Sequence, residues 1–228
     1  MINSDYDVYG ICSRFLVLGQ PPRDSQIVHR LHYQTEGGGL WEVDIVPCGS
    51  VADELHNIQW PPDGAIEMST LGFDEAFKGA LQVKIGGKIE DFTIKVASPV
   101  AMSFLKLISW LEREPNIRKK DAQDLKYLID TYCKIPAIQN RMYDEGDMES
   151  LEWDEPLASA RILGRDAAEL INQETLKRLQ TSLFTQQNKL DLLWIEMSLV
   201  YQEVEYKNSK LKVFIDALNS NTEAPLIK

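Results

Sequence analysis

The stretch LWEVDIVPCG, residues 40–49, sets Glu42 and Asp44 two residues apart in a segment that otherwise reads as a buried strand. Side chains alternate along a strand, so Trp41, Val43 and Ile45 share one face while Glu42 and Asp44 share the other. Two carboxylates on one face can approach a single cation. Magnesium in particular takes hard oxygen ligands, usually one or two carboxylates with phosphates and water. The alternative is that this face is simply solvated, as on many antiparallel sheets.

A second group of residues lies on a helical pattern. In SPVAMSFLKLISWLERE, Phe104, Leu105, Ile108 and Leu111 define an apolar stripe, and Lys106, Trp110 and Arg113 form a neighbouring ridge at i, i+4 and i+7. A lysine set among apolar neighbours either runs its stem out to water or reaches an anion such as a triphosphate. In RKKDAQDLKYLI, Asp121 and Asp124 lie one turn apart. Near a helix start their negative charge would be favoured by the dipole; alternatively they orient Lys106 or Arg113 through charge-assisted hydrogen bonds.

Other chemistries find little support. Cys12, Cys48 and Cys133 show no CxxC spacing, which fits free thiols in a reducing compartment. His29 and His32 fall on opposite faces of a strand-like run, a poor start for a shared metal. The formal net charge of −11 argues against sequence-independent binding to long nucleic acid, though not against a local basic pocket or a basic protein partner. No apolar run approaches a membrane span and the start lacks a leader pattern, so a cytoplasmic location is expected.

The elements that position these residues change character along the 228-residue chain. The opening DYDVYGICSRFLVLG has helical spacing. QIVHRLHYQ and LWEVDIVP form a hairpin around EGGG, and AIEMSTLG and FDEAFKGAL read as a short strand and a short helix. ALQVKIGGKIEDFTIKVA is a second hairpin. From Ser98, an N-cap followed by Pro99, the pattern turns helical: 99–114, 119–133, a third stretch over EPLASARILGRDAAELINQETLKRLQTSLF, and one long amphipathic helix from Lys189. Strands first and helices afterwards predict an α+β architecture: a small mixed sheet over 1–97, then a helical bundle over 98–228. The acidic YDEGDMESLEWDEP reads as a linker.

Taken in order, WEVDIVPCG, IQWPPDGAIEMSTLGFDEA, SPVAMSFLKLISWLER, RKKDAQDLKYLIDTY and ARILGRDAAELI resemble bacterial nucleotidyltransferases related to the AbiEii toxins of abortive-infection and toxin–antitoxin systems. The resemblance covers about residues 26–185. It implies a polymerase-β-like nucleotidyltransferase fold and metal-dependent transfer of a nucleotidyl group from a nucleoside triphosphate (NTP) to a nucleotide, RNA or protein acceptor. Magnesium (Mg2+) is the implied cofactor and an antitoxin the implied partner. Asp44 matches the third catalytic carboxylate, with Glu42 beside it as a further metal ligand. Lys106, Arg113 and Lys120 become the nucleotide-binding set, with Asp121 and Asp124 behind them. The family's first two carboxylates, in a Gly-Ser…Asp-x-Asp element, are expected to be lacking. Asp5 and Asp7 form an Asp-x-Asp, but their run into a helical pattern reads as an N-cap and first turn.

A non-catalytic reading stands beside this one: a nucleotidyltransferase-fold module for protein binding or self-association. The last helix motivates it. Leu190, Leu193, Met197 and Val200 form a stripe that Leu192, Ile195 and Leu199 widen, and so broad a face needs covering by the chain's own bundle or by a second copy.

Overall fold

The computed structural model describes residues 30–34, 38–60, 64, 66–86, 91–198 and 209–220. The opening helical pattern, with Asp5, Asp7, Cys12 and His29, lies outside them. The described residues form an α+β fold with six strands: β1 (Arg30–Gln34), β2 (Leu40–Asp44), β3 (Asn57–Trp60), β4 (Ile66–Ser69), β5 (Leu81–Ile85) and β6 (Phe92–Val96). They pair two by two, β1 with β2, β3 with β4 and β5 with β6, so three short ladders stand where one mixed sheet was expected. The β1–β2 register sets Arg30 against Asp44, His32 against Glu42 and Tyr33 against Trp41, as the hairpin reading of the sequence requires.

The chain divides into two compact units, residues 1–74 with 84–95 and residues 75–83 with 96–228. Within the first, β2 is not a buried strand. Trp41 is 65% exposed and Val43 39%, and Asp44 is exposed as well. A two-residue period still separates the faces, but neither one is dry.

The second unit is helical. It contains most of α1 (Phe73–Lys78), then α2 (Pro99–Glu112), α3 (Pro115–Thr131), α4 (Pro136–Asp144), α5 (Asp147–Ser150), α6 (Glu155–Leu170), α7 (Gln173–Leu179), α8 (Gln187–Glu196) and α9 (Lys210–Asn219). Ser98 caps α2, its hydroxyl accepting from the Ala101 amide at 3.2 Å, and Pro99 occupies the first turn, where its missing N–H costs nothing. A proline opens α3, α4 and α6 in the same way. The core is built from Phe104, Leu107, Trp110, Leu125, Ile129, Ile162, Leu163, Leu179, Leu193, Phe214 and Leu218, all buried.

Helices α6 and α9 approach closely at Gly164. A Cβ placed there would overlap the Phe214 carbonyl oxygen, and would lie 2.7 Å from the Ala217 Cβ and 3.1 Å from the Leu218 amide nitrogen. The absence of a side chain is what lets the two backbones meet.

Two expectations are corrected here. The acidic stretch from Tyr143 is not a linker. It turns through Gly146 at φ 76° and enters α5, where Asp147 is 2% exposed and bonds Arg165 at 2.6 and 2.8 Å and Arg161 at 3.4 Å. Nor is the final pattern one helix. Ser209, with extended φ and ψ, caps α9 by accepting from the Lys212 amide, so α9 starts afresh. Leu190, Leu193 and Met197 are buried within the helical unit, while Leu192 and Ile195 stay exposed. Val200 and Leu199 lie outside the described residues.

Candidate functional site

The buried stripe of α3 carries an acid. Ala122, Leu125 and Ile129 recur at helical spacing toward the core, and Asp121 joins them with a fully buried side chain. A carboxylate in such a place must be paired, because burying an unpaired charge costs several kcal/mol or more. Two cations meet it. The Lys106 ammonium donates to Asp121 Oδ1 at 3.0 Å, and the Arg113 guanidinium donates to Asp121 Oδ2 at 3.0 Å. Asp124, one turn on and 40% exposed, takes a second contact from Lys106 at 2.8 Å.

This arrangement removes one of the two explanations for the aspartates. Helix α3 begins at Pro115, four residues before the sequence pattern placed it, so Asp121 and Asp124 lie beyond the first turn where the dipole acts. Their role is to hold Lys106 and Arg113. Burial works to lower the pKa of Lys106, but the hydrogen bonds from Asp124 and Asp121 and their negative charges outweigh it, and the ammonium titrates above the ordinary lysine value. Lys106 is therefore a fixed cation at any physiological pH. An ammonium has three donors; two meet the aspartates, no third partner lies among the described residues, and 19% of the side chain is exposed.

Arg113 follows the last residue of α2 in an extended conformation, and its side chain is 47% exposed. Lys120 is exposed on α3 and makes no ion pair or hydrogen bond among the described residues. In the first unit, Asp44 closes β2 opposite Arg30, and positions 42 and 44 fall on the same face of the strand. Among the described residues no group of three or more His, Cys, Asp or Glu side chains gathers to hold a metal ion. Asp44 is exposed at the end of β2, and a single carboxylate holds magnesium poorly unless waters and further oxygen ligands such as phosphates complete its shell.

No local sequence pattern signals the contacts that align these helices. Glu196, at the end of α8, accepts from the Trp110 indole nitrogen of α2 at 2.6 Å and from Arg118 of α3 at 3.0 to 3.2 Å. The Arg118 guanidinium also stacks over the Trp110 ring, 4.7 Å from its centroid. One carboxylate thus ties the helix bearing Lys106 to the helix bearing Asp121. Separations of 78 and 86 residues hide such a tie from any local pattern.

No helix among the described residues is long and apolar enough to cross a membrane. Neither the curated proteins nor the solved structures offer a significant match to the chain. A family model does match, over residues 18–203, which takes in both hairpins, the Lys106 helix and the Asp121 helix: that of the nucleotidyl transferase AbiEii toxin of type IV toxin–antitoxin systems. With most of its length so matched, the chain belongs to the AbiEii nucleotidyltransferase toxin family.

Proposed function

We propose that this chain is a cytoplasmic toxin that transfers a nucleotidyl group from a nucleoside triphosphate to a nucleotide, RNA or protein acceptor, and that Lys106 and Arg113 receive the triphosphate. In that reaction an acceptor hydroxyl oxygen bonds to the α-phosphorus, the bond from that phosphorus to the pyrophosphate oxygen breaks, pyrophosphate leaves, and the hydroxyl proton passes to water. The chain's own contribution is to fix cations where negative charge gathers. The observation that carries the reading is the Lys106 ammonium, held by two carboxylates, part-exposed, and with no third partner among the described residues. Lys120, exposed on the adjoining helix, adds positive charge for the same phosphates.

Magnesium belongs to the same proposal, with Asp44 as the carboxylate that β2 offers and Glu42 on its face. When bound it would neutralise phosphate charge and lower the pKa of the attacking hydroxyl. The antitoxin that family membership implies is the chain's counterpart in the cell.

The test uses thermal unfolding of the wild type and of Lys106→Met, with millimolar inorganic tripolyphosphate or a nucleoside triphosphate plus magnesium. Ligands that bind the folded state raise Tm. Both should raise it in the wild type and neither in the variant. A wild-type protein indifferent to both, or a variant that responds equally, overturns the proposal. Transfer of label from an α-labelled triphosphate to cellular RNA or protein then identifies the acceptor.

A further inference from the structure

One face of α3 is left uncovered beside the Lys106 ammonium. Ile117, Lys120, Asp124 and Tyr127 recur at i, i+3, i+7 and i+10, so they line up along the helix. Asp124 is the member of that row that touches Lys106. Lys120 lies one turn before it and Tyr127 one turn after, each roughly 5 Å away along the axis. Tyr127 is 68% exposed, and neither its ring nor its hydroxyl makes a hydrogen bond or ring contact among the described residues. An exposed aromatic ring about one helical turn from Asp124, the residue that holds the Lys106 ammonium, can offer its flat face to a base while the cation takes the phosphates.

We infer that Tyr127 stacks on the nucleobase of the triphosphate whose phosphates Lys106 receives. This rests on the function proposed above and adds the part of the substrate that the cations do not read. Every base has a π-face, so the contact favours nucleotides over inorganic polyphosphate without selecting strongly among the four bases. The tyrosine hydroxyl has no part in it. A phenylalanine serves equally, an alanine does not, and an exposed site tolerates either without loss of fold.

The experiment compares dissociation constants of the magnesium complexes of ATP and of inorganic tripolyphosphate for the wild type, Tyr127→Phe, Tyr127→Ala and Lys106→Met. Tyr127→Ala should weaken ATP by about fivefold or more, the equivalent of one lost base stack, and leave tripolyphosphate unchanged. Tyr127→Phe should match the wild type for both. Undiminished ATP binding in Tyr127→Ala, alongside tripolyphosphate binding that depends on Lys106, overturns this inference and leaves the proposed function standing. An equal loss of both ligands in Tyr127→Ala also overturns it. Tripolyphosphate binding indifferent to Lys106 overturns the proposed function and the stacking role with it.

Discussion

The phenol of Tyr132 donates to Asp166 Oδ2 at 2.6 Å, across the junction between the end of α3 and the middle of α6. Arg141 of α4 closes on the same carboxylate with two hydrogen bonds of 2.9 Å. Three elements are tied through one acid, and the phenol carries the signature. Burial raises its pKa first, and the hydrogen bond to Asp166 and that residue's negative charge add to the rise. The Arg141 charge opposes them without prevailing.

A titration follows from this. The folded-state pKa of Tyr132 lies above its ordinary value of 10.0, so the stabilisation is complete below pH 10 and is lost as pH climbs from there toward the folded value. In that window the unfolded chain binds fewer protons than the folded one, and this group's contribution falls by about 1.4 kcal/mol per pH unit. Absorbance at 295 nm should show a tyrosine that stays silent until the protein unfolds, and Tyr132→Phe should remove that late step. Ionisation of every tyrosine near pH 10 in a protein still folded by circular dichroism contradicts it.

Asp121→Asn separates charge from geometry at the candidate site. Neutralising this acid makes its surroundings more positive, and charge alone then calls for tighter binding of a polyphosphate. Asp121 also fixes the direction of two cations, however, and an amide accepts with one oxygen where the carboxylate accepts with two. Tripolyphosphate affinity should fall about tenfold, the equivalent of one charged hydrogen bond. Asp124→Asn, at a half-exposed position, should have the smaller effect. Tighter binding by Asp121→Asn removes the orienting role.

Gly164→Ala probes the α6–α9 contact. Alanine favours a helix over glycine by about 1 kcal/mol. Here its methyl would meet the Phe214 carbonyl and the Leu218 amide, backbone atoms that yield only if α9 moves. Overpacking of this kind costs about 1–3 kcal/mol, sometimes more, and should outweigh the propensity gain. The urea midpoint is expected to drop; a midpoint equal to or above the wild type disproves the close approach.

What the sequence conveyed depended on range. The β1–β2 hairpin and the Ser98–Pro99 start of α2 are local, written in alternation, turn residues and a cap, and they form where they were expected. The early start of α3 was also legible, since Glu114–Pro115 repeats the proline signal; so was α4, which opens at Pro136 and was missed. Ser209 marks the break ahead of α9 in the same local terms. The packing of the acidic stretch was not legible, because Asp147 is held by arginines 14 and 18 residues further along. The pairing of Lys106 with Asp121 was posed by the sequence as one of two options. The structure chose it by burying the carboxylate on the apolar stripe, where pairing is obligatory.

The meeting of α6 with α9 also bears on the birth of the protein. Phe214 and Leu218 fill the space against Gly164, and they are translated some fifty residues after it. Until those residues leave the ribosome, the face of α6 around Gly164 lacks the cover that α9 gives it. Nascent chains and nonsense fragments ending before Ser209 therefore display it to chaperones and proteases, so the helical unit matures only after translation has passed α9.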